Sequence, residues 1–508
     1  MRVMFAVADL YFSEPLGAMI LSGVCKAAGH QTRLAVLRDD DIVERLDEFK
    51  PDVVAYSTMT PDEGLFIRND NLVRRWAAEN NPRLKRIMGG PHPTYFPQIL
   101  HKMDLDAICA GDGENAMIRM LAAIDEDRSL DGIPNVSTHT HPTYEKEVVE
   151  DMDSVAFADR DLLYDSAPAM LKHGIRSFLT QKGCPYKCTY CFNHAYNKMF
   201  KGGGRKLLRR RSVDNLLAEI KGVVANYPRC RYVRFSDDVF VIHQDEWLEE
   251  FAEKYPTEIG LPFYCLIRCN SLTEEVARLL QKAGCKSVSM SIEAGNEKIR
   301  NEILKRNMPD KMLEDSFALA RKYGINVFGN SILAVPGTTF EDDYNTFLFA
   351  RKLKPAAPTF SIFSPFPMTD LTKYAQELGV LDMDFDFNEM SCWDRSVLKN
   401  HSKADRDMQT RLAYLGILFC KLPDFMLPVL DRLLRLPFER LYRMIGALTM
   451  AYLLSTKIFP GAQPRNPASI AQALWQALKY MLRPAAKGAE EENPGMRSPG
   501  TGLASADY

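Results

Sequence analysis

The sequence has no excess of charge of one sign. Its 508 residues contain 64 Lys and Arg against 66 Asp and Glu, a formal net charge of −2, which argues against a strongly basic nucleic-acid-binding protein. It also lacks any uncharged apolar run of about 18 residues, so we predict no membrane-spanning helix. The opening "MRVMFAVADLYFSEP" has too short an apolar stretch and no small-residue cleavage site for a secretory signal. We therefore expect a cytoplasmic protein that binds no nucleic acid.

A complete set of paired cysteines is missing as well. The chain has eleven cysteines, an odd number, and most stand alone in apolar surroundings, which is typical of reduced, buried thiols. The composition, 46% apolar and 26% charged, is ordinary for a globular protein. The cysteines expected to be structural are Cys25, Cys109, Cys265, Cys269, Cys285 and Cys420.

Residues 1–125 alternate short β-rich runs with helix-length segments. The runs are "RVMFAV", "TRLAVL", "VVAYST", "RIMGG" and "AICAG", and this alternation predicts an α/β fold, a doubly wound parallel sheet of about five strands with helices on both faces. Ligands of such sheets bind beyond the carboxyl ends of the strands. The segments "STMT", "GGPHPT" and "GDGE" follow three of these ends and supply our candidate binding residues. They are Ser57, Thr58, Thr60, Gly89, Gly90, His92, Thr94, Gly111, Gly113 and Glu114.

A second β/α series begins near Arg176. Its strands are "SFLTQK", "YVRFS", "FYCLIR", "SVSMSI", "NVFGNSIL" and "TFSIF", which predicts a partial (β/α)6 barrel with its active site at the carboxyl ends of the strands. A helical pattern follows, and the last residues are rich in Pro, Gly, Ala and charge, which is typical of a disordered tail. We predict five segments: an N-terminal domain at 1–140, a connector at 141–175, the barrel at 176–370, a helical C-terminal domain at 371–482 and a tail at 483–508.

The stretch "LTQKGCPYKCTYCFNHAY" places Cys184, Cys188 and Cys191 directly after the first barrel strand. A structural zinc site needs four ligands, and no fourth cysteine is nearby, although His194 is close. Cubane iron–sulfur clusters are normally held by four thiolates, so three thiolates would leave one iron open and reactive. A zinc site or a coincidental group of thiols is the alternative.

The spacing Cys-x3-Cys-x2-Cys, with Tyr190 before the last cysteine, resembles the signature of the radical S-adenosylmethionine (SAM) superfamily. The resemblance implies a [4Fe-4S] cluster whose open iron chelates SAM, and an external low-potential electron donor of the flavodoxin or ferredoxin type. The electron splits SAM into methionine and a 5′-deoxyadenosyl radical. The paired aspartates among the implied contacts could instead cap a helix. The implied contacts of SAM are Tyr190, Asp237, Asp238, Arg268 and Glu293.

A doubly wound domain directly before such a barrel resembles the cobalamin-dependent radical SAM enzymes. The matching segments are "DVVAYSTMT", "IMGGPHPTYFP" and "CAGDGENAM", whose loops, by this resemblance, cradle the lower face and the nucleotide tail of the corrin. Gly89 and Gly90 would permit close backbone approach, and the hydroxyls at 57–60 would donate hydrogen bonds. The loop "DLYFSEPLG" lacks the histidine that many cobalamin mutases give to cobalt. We expect His92 to be structural or to contact the tail, and a degenerate domain without cobalamin remains open.

This resemblance implies a methyltransferase that acts on an unactivated carbon of a small molecule. An isoprenoid lipid is one candidate, since hopanoid C-3 methylases share the architecture, and a secondary metabolite is another. An oxidative cyclase or rearrangement enzyme of the anaerobic magnesium-protoporphyrin cyclase type is the alternative. A non-catalytic sensor of redox state or cobalamin is a third possibility, against which the complete cysteine loop argues.

Two basic stretches leave further alternatives. We expect the run at 205–212 to be a solvated loop, unless Arg211 meets an anionic substrate or cofactor. In "LPVLDRLLRLPFERLYRM" arginines share one arc of a helical wheel, and Pro437 should break the helix. The segment predicts a bundle packed on the barrel or, alternatively, a peripheral contact with the inner face of a membrane. The leucines opposite the arginines are Leu430, Leu433, Leu434 and Leu441.

Overall fold

The structure is a computed structural model that describes residues 1–10, 14–202, 204–383, 385 and 395–462. The predicted tail at 483–508 and the last part of the predicted C-terminal domain, 463–482, lie outside the described residues. The boundaries at 140, 175 and 370 remain predictions.

The N-terminal part forms the expected doubly wound sheet. The strand order is β2-β1-β3-β4-β5-β6, and all pairs are parallel except β5 with β6. The short β6 was not predicted, because two residues carry no periodic signal. The strands are β1 Arg2–Val7, β2 Gln31–Val36, β3 Val53–Ser57, β4 Lys85–Gly89, β5 Ala107–Cys109 and β6 Val136–Ser137.

Helices cover both faces of this sheet because successive side chains of a strand point to opposite sides. Phe5 of β1 packs in the core beneath α1 and α6, whereas its neighbour Met4 packs in the core beneath α2 and α3. The helices are α1 Leu16–Ala27, α2 Ile42–Phe49, α3 Glu63–Asn80, α4 Pro91–Tyr95, α5 Ile99–Lys102 and α6 Glu114–Asp125.

The second β/α series forms a six-stranded parallel sheet in the order β14-β13-β12-β11-β10-β7. This arrangement confirms the partial (β/α)6 barrel. A separate two-stranded antiparallel sheet pairs β8, which closely follows β7 in the chain, with β9. The strands are β7 Ile175–Phe178, β8 Gln181–Lys182, β9 Arg209–Arg210, β10 Tyr232–Phe235, β11 Phe263–Leu266, β12 Cys285–Ser289, β13 Asn326–Leu333 and β14 Ala357–Ile362.

Helices α9 and α11 begin where capping residues satisfy the first free amides. The Ser212 side chain accepts a hydrogen bond from the Asn215 amide, and Thr273 does the same for Val276, as an N-cap requires. The helices of this part are α8 Phe192–Phe200, α9 Val213–Asn226, α10 Glu246–Glu258, α11 Glu274–Ala283, α12 Asp310–Lys322, α13 Phe340–Leu353 and α14 Asp370–Glu377.

The basic run 205–212 is not a solvated loop, and that expectation was wrong. Arg209 and Arg211 are buried, and each meets a carboxylate, Asp112 and Glu219 respectively. Neither is directed at a substrate, because a buried cation must be paired within the protein to offset its desolvation.

The connector joins the two sheets through buried ionic contacts. Its helix α7, Arg160–Ser166, places Arg160 between Glu14 of the N-terminal part (2.8 Å) and Glu219 of α9 (3.3 Å). Glu14 also accepts hydrogen bonds from Tyr164 and from the amide of Ser177 at the start of the barrel. Losing Arg160 would leave the buried Glu14 carboxylate without its ionic partner.

The C-terminal helices pack on the barrel as a bundle, with α15 against β14 and α17 against α15. Pro437 separates α16 from α17, as expected. Residues 454–462 close the amino end of the barrel, where the Ile458 carbonyl accepts hydrogen bonds from Tyr232 and Ser287. Leu430 and Leu434 are buried, but Leu441 is exposed, so the helical wheel was wrong there. The helices are α15 Lys403–Phe419, α16 Leu427–Leu433 and α17 Glu439–Leu453.

The lone cysteines carry no disulfide. Cys420 is partly exposed, and the other five expected to be structural are buried. None of the helices that the structure describes is long and apolar enough to cross a membrane.

Candidate active site between the two sheets

The three cysteines lie in the loop that leaves β8 at the carboxyl edge of the barrel. Cys188 is buried and the other two are partly exposed. The loop is folded locally: the Cys191 amide donates to the Cys188 carbonyl (3.2 Å) and the Asn197 side chain donates to the Cys184 carbonyl (2.7 Å). Burial raises the pKa of the Cys191 thiol to about 12 and also raises that of Cys184, so protons must leave when a metal binds.

Two guanidinium groups point at the buried sulfur. The Nη1 atoms of Arg268 and Arg306 lie 3.0 and 3.7 Å from the Cys188 Sγ, and the Arg268 guanidinium also stacks 3.7 Å from the Tyr186 ring centroid. Both arginines are buried. Arg268 was predicted from the sequence, whereas Arg306 was missed.

A tyrosine and a glutamate complete this cluster of side chains. The Tyr190 hydroxyl donates to Glu293 (2.6 Å) and accepts from Arg306 Nη1 (3.1 Å). Burial is the largest cause that raises the pKa of Tyr190, so it keeps its proton. Glu293 has a left-handed φ of 65°, a conformation that a non-glycine residue adopts only under local constraint.

The two predicted aspartates differ in position. Asp237 is buried and accepts hydrogen bonds from the amides of Thr180 and Gln181 at 2.7 and 3.0 Å and from the Thr180 hydroxyl at 2.7 Å. It thus fixes the chain between β7 and β8 and caps no helix. Burial raises its pKa to about 7. Asp238 is exposed beside it.

On the facing sheet, Gly90 brings the loop after β4 against the loop after β3. A Cβ at Gly90 would lie 3.1 Å from the Thr58 carbonyl oxygen, and the residue has a φ of 95°. The His92 amide donates to the same carbonyl (3.0 Å). The His92 ring stacks on Phe96 and its Nδ1 lies 3.4 Å from the Thr60 hydroxyl. Burial lowers the pKa of His92 to about 4, so the ring is neutral.

The loops after β4 and β5 are joined by Thr94. Its hydroxyl donates to the Gly90 carbonyl (2.8 Å) and accepts from the Gly111 amide (3.0 Å). Gly111 has a φ of 76°, and a Cβ there would overlap the Phe200 ring of α8. The glycine that the sequence assigned to a cofactor therefore also makes room for the barrel.

Ionic contacts tie the "GDGE" loop to the cysteine loop. Lys182, two residues before Cys184, pairs with Glu114 and lies 3.3 Å from Asp112. Asp112 also pairs with Arg209. Although burial raises the pKa of Asp112, the two cations prevail and lower it. Sequence reasoning missed Lys182, Asp112 and Arg209, because no local pattern reveals a pairing across domains.

Aromatic rings also join the N-terminal part to the cysteine loop of the barrel. Tyr95 of the N-terminal sheet stacks on Phe192, with ring centroids 4.4 Å apart, and its hydroxyl donates to the Phe192 carbonyl (3.1 Å). Phe192 directly follows Cys191 and also contacts Phe366 after the last barrel strand. The carboxyl edges of both sheets therefore face each other across the cysteine loop.

These residues fit the expected groups. Within the part of the chain that the structure describes, no three His, Cys, Asp or Glu side chains converge on a point for a single metal ion. A cubane does not require this, because its thiolates bind different irons. At the other edge the Thr58 hydroxyl and His92 Nε2 are buried without a hydrogen-bond partner among the described residues, which is unfavourable unless a ligand supplies one.

Comparison with known families identifies the domains on both sides of this site. Residues 178–350 match the model of the radical SAM superfamily, and residues 2–121 match the B12 binding domain. The chain belongs to the cobalamin-dependent radical SAM enzymes. The expected α/β architecture and the expected cofactors, a [4Fe-4S] cluster, SAM and cobalamin, are thereby confirmed.

Relatives and a solved structure agree with this family. An uncharacterized methyltransferase of Pyrococcus horikoshii is 25% identical over 71% of this chain and 78% of its own length. An anaerobic magnesium-protoporphyrin IX monomethyl ester cyclase of Rubrivivax gelatinosus is 24% identical over 74% of this chain and 68% of its own length. The radical SAM methyltransferase TsrM of Kitasatospora setae, solved with cobalamin and a [4Fe-4S] cluster, has a TM-score of 0.60 at 17% identity over 75% of each chain. The prediction of an enzyme of the radical SAM methyltransferase family is confirmed.

Proposed function

We propose that this cobalamin-dependent radical SAM enzyme transfers a methyl group to an unactivated carbon of a small-molecule substrate. The observation that carries this proposal is the contact between the two sheets. Lys182 and Tyr95 hold the predicted corrin loops directly against the cysteine loop, so both cofactors would share one cavity. Proximity of this kind is what a transfer between two cofactors requires.

The residues take separate roles in this proposal. When bound, the cluster and SAM supply a radical that removes hydrogen, and cobalamin supplies the methyl group. Cys184, Cys188 and Cys191 hold the cluster, and Arg268, Glu293, Tyr190 and Asp238 face SAM. Asp237 positions the loop that precedes Cys184, because its carboxylate oxygens are used within the chain.

The corrin side is assigned by the groups that the fold leaves available. Gly89 and Gly90 admit the ring, and the Thr58 hydroxyl and His92 Nε2 lack partners in the described chain. Ser57, Thr60 and Thr94 extend the same row of hydroxyls. Gly111, Gly113 and Glu114 form the rim, where Glu114 is already paired with Lys182.

The substrate is an apolar small molecule in this proposal, either an isoprenoid lipid of the hopanoid type or a secondary metabolite. Support comes from the aromatic wall of Tyr95, Phe192 and Phe366 beside the cysteine loop. The protein would act in the cytoplasm and take its electron from a flavodoxin or ferredoxin type of donor. The relative that is a cyclase makes oxidative cyclisation the second candidate.

Product analysis separates the two outcomes. The full chain, reconstituted anaerobically with iron, sulfide and cobalamin, is reduced and supplied with SAM and an extract of the host. Methyl transfer yields S-adenosylhomocysteine together with 5′-deoxyadenosine, whereas a cyclase yields no S-adenosylhomocysteine. Metabolites of a deletion strain that are lighter by one methylene unit identify the substrate. Reduced protein that never cleaves SAM would contradict both candidates.

A further inference from the structure

Exposed apolar side chains are concentrated in the segment that contains the last two helices, α16 and α17, and the turns beside them. Eight of the large hydrophobic residues that are exposed in the described chain lie between 425 and 452, and only seven lie elsewhere. Phe425, Phe438 and Tyr452 are 76%, 53% and 61% exposed. Exposed apolar side chains gathered in one segment are typical of an interaction surface. The eight are Phe425, Val429, Leu436, Phe438, Leu441, Met444, Leu448 and Tyr452.

Helix α17 has two different faces. Tyr442, Gly446 and Leu453 are buried, and a Cβ at Gly446 would lie 3.1 Å from Tyr414 of α15. Leu441, Met444, Leu448 and Tyr452 follow a helical spacing of three or four residues and remain exposed. The helix is therefore fixed to the bundle by one side and presents an apolar stripe on another.

Three positively charged side chains in the same segment have no ionic partner in the described chain. Arg432, Arg435 and Arg440 are exposed and form no ion pair with any residue that the structure describes. A groove of about 810 Å³ between α15 and α17 is bordered by Arg440 and Leu441.

The acidic side chains of the same segment form ion pairs or hydrogen bonds with the rest of the protein. Asp424 pairs with Arg351 of α13 (2.6 Å), Glu439 pairs with Arg411 of α15 (2.5 Å), and Asp431 accepts from the Tyr344 hydroxyl (2.7 Å). Asp431 keeps its negative charge because its partner is a neutral hydroxyl, but the three arginines outnumber it, so the face carries an excess of positive charge although the whole chain is nearly neutral.

We propose that this face of α16 and α17 docks on the anionic surface of a lipid bilayer. Apolar side chains inserted at the headgroup level, flanked by arginines, are the features of an interfacial helix. A symmetric dimer through the same face would bring arginines against arginines. The proposal does not depend on methyl transfer, because none of these residues lies at the cysteine loop.

Flotation of the full-length protein tests the proposal. It is mixed with vesicles of phosphatidylcholine and phosphatidylglycerol, or of phosphatidylcholine alone, and centrifuged through a density gradient. We expect binding to the anionic vesicles that weakens with salt and is far weaker on the neutral ones. Replacing each arginine should reduce the partition coefficient about fivefold, and replacing three apolar residues should reduce it at least about tenfold.

Three variants make the test specific. The charge variant combines Arg432→Gln, Arg435→Gln and Arg440→Gln, and the apolar variant combines Leu441→Ser, Leu448→Ser and Tyr452→Ser. A matched control alters exposed residues of the N-terminal part and should bind like the parent protein. Circular dichroism and iron content verify that each variant folds. The control combines Leu72→Ser, Arg75→Gln and Arg83→Gln.

Four outcomes would overturn the proposal. In the first, the parent protein does not float with anionic vesicles, or floats equally well with neutral ones. In the second, both face variants bind like the control. In the third, only a chain ended at residue 462 binds, which would mean that residues 463–508 cover the face. A dimer that the apolar variant dissociates, without any flotation, would assign the face to a second copy instead.

Discussion

The two edges that meet at the active site are built from different side chains. The N-terminal edge consists mainly of glycines, hydroxyls and the neutral ring of His92, with Asp112 and Glu114 paired at its rim. The Thr58 hydroxyl and His92 Nε2 have no hydrogen-bond partner in the described chain. The barrel edge consists of three thiols, two buried guanidinium groups, a carboxylate and a tyrosine, and the guanidinium groups connect the Cys188 sulfur to Tyr190 and Glu293. The N-terminal edge is therefore neutral except at its rim, whereas the barrel edge is a cluster of charged side chains.

The difference matches what each edge has to hold. A corrin is large and can be held through close backbone approach and single hydrogen bonds, for which Gly90 and Thr58 are suited. An iron–sulfur cluster with a zwitterionic sulfonium ligand requires thiolates and fixed charges. The charged edge must be ordered before binding, because its buried arginines are paired within the chain.

The largest expected effect comes from replacing a cysteine of the barrel edge, compared with replacing a cysteine of the N-terminal edge. Cys188→Ala should abolish the cluster, its brown absorbance and SAM cleavage, because only two thiolates remain. Cys184→Ala and Cys191→Ala should do the same. Iron analysis and the optical spectrum measure the loss. Cys109→Ala, at the buried end of β5, is the matched control and should retain the cluster; a Cys188→Ala protein with full iron and turnover would remove the assignment.

The contact between the edges is the next target. Lys182→Met leaves Asp112 and Glu114 with one cation fewer in a largely buried place, which should cost about 3–5 kcal/mol. Urea unfolding measures the free energy, and limited proteolysis at the connector measures separation of the two parts. Lys187→Met, an exposed change within the cysteine loop, is the control. Equal stability of both variants would show that Lys182 does not join the edges.

Adding Glu114→Met to Lys182→Met sharpens this result. Replacing both partners of a buried pair by apolar groups is often close to neutral, so the double variant should regain part of the lost stability. A double variant that is less stable than Lys182→Met would contradict the pairing.

The N-terminal edge is tested by replacing two glycines that both have a positive φ. Gly90→Ala should weaken cobalamin retention strongly, since the Cβ would meet the Thr58 backbone at 3.1 Å. Gly29→Ala carries the same penalty of about 1–2 kcal/mol for positive φ but has no atom within 4 Å of the added Cβ. Cobalamin bound per chain after gel filtration measures the difference. Equal retention would show that the close approach at Gly90 is not needed.

The smallest effect concerns a buried carboxylate of the barrel. Asp343 accepts from the Ala334 amide and the Gln409 side chain, both at 2.7 Å, and burial raises its pKa to about 7. Because the raised pKa belongs to the folded state, its contribution is present below pH 4 and is lost as pH rises toward 7. The stability of Asp343→Asn relative to the parent should therefore increase over this range, by at most about 4 kcal/mol.

Urea unfolding between pH 4.5 and 8 measures this trend. Asp112 shows the opposite dependence on pH, because its pKa is lowered in the folded state. Its contribution to stability is present at pH values above the pKa of the unfolded state and is lost as the pH falls. A constant difference between Asp343→Asn and the parent at all pH values would contradict the assignment.

Elements that are marked by a pattern of neighbouring residues could be predicted from the sequence. Except for the short β6, the strands of both sheets could be predicted from short β-rich runs between helical segments, and the cysteine loop from its spacing. The partners of Lys182, Arg209 and Arg306 could not, because each pairing joins residues far apart in the chain. For the same reason the packing of Phe200 on Gly111 and the closure of the barrel by residues 454–462 were not expected.

The central claim is that three side-chain thiolates leave one iron of the cluster for SAM. Mössbauer spectroscopy of the protein reconstituted with isotopically labelled iron, with and without SAM, tests it most directly. We predict that one iron of four changes its isomer shift when SAM binds while the other three stay alike. Four irons with unchanged parameters, or a bound zinc ion in place of the cluster, would contradict the account.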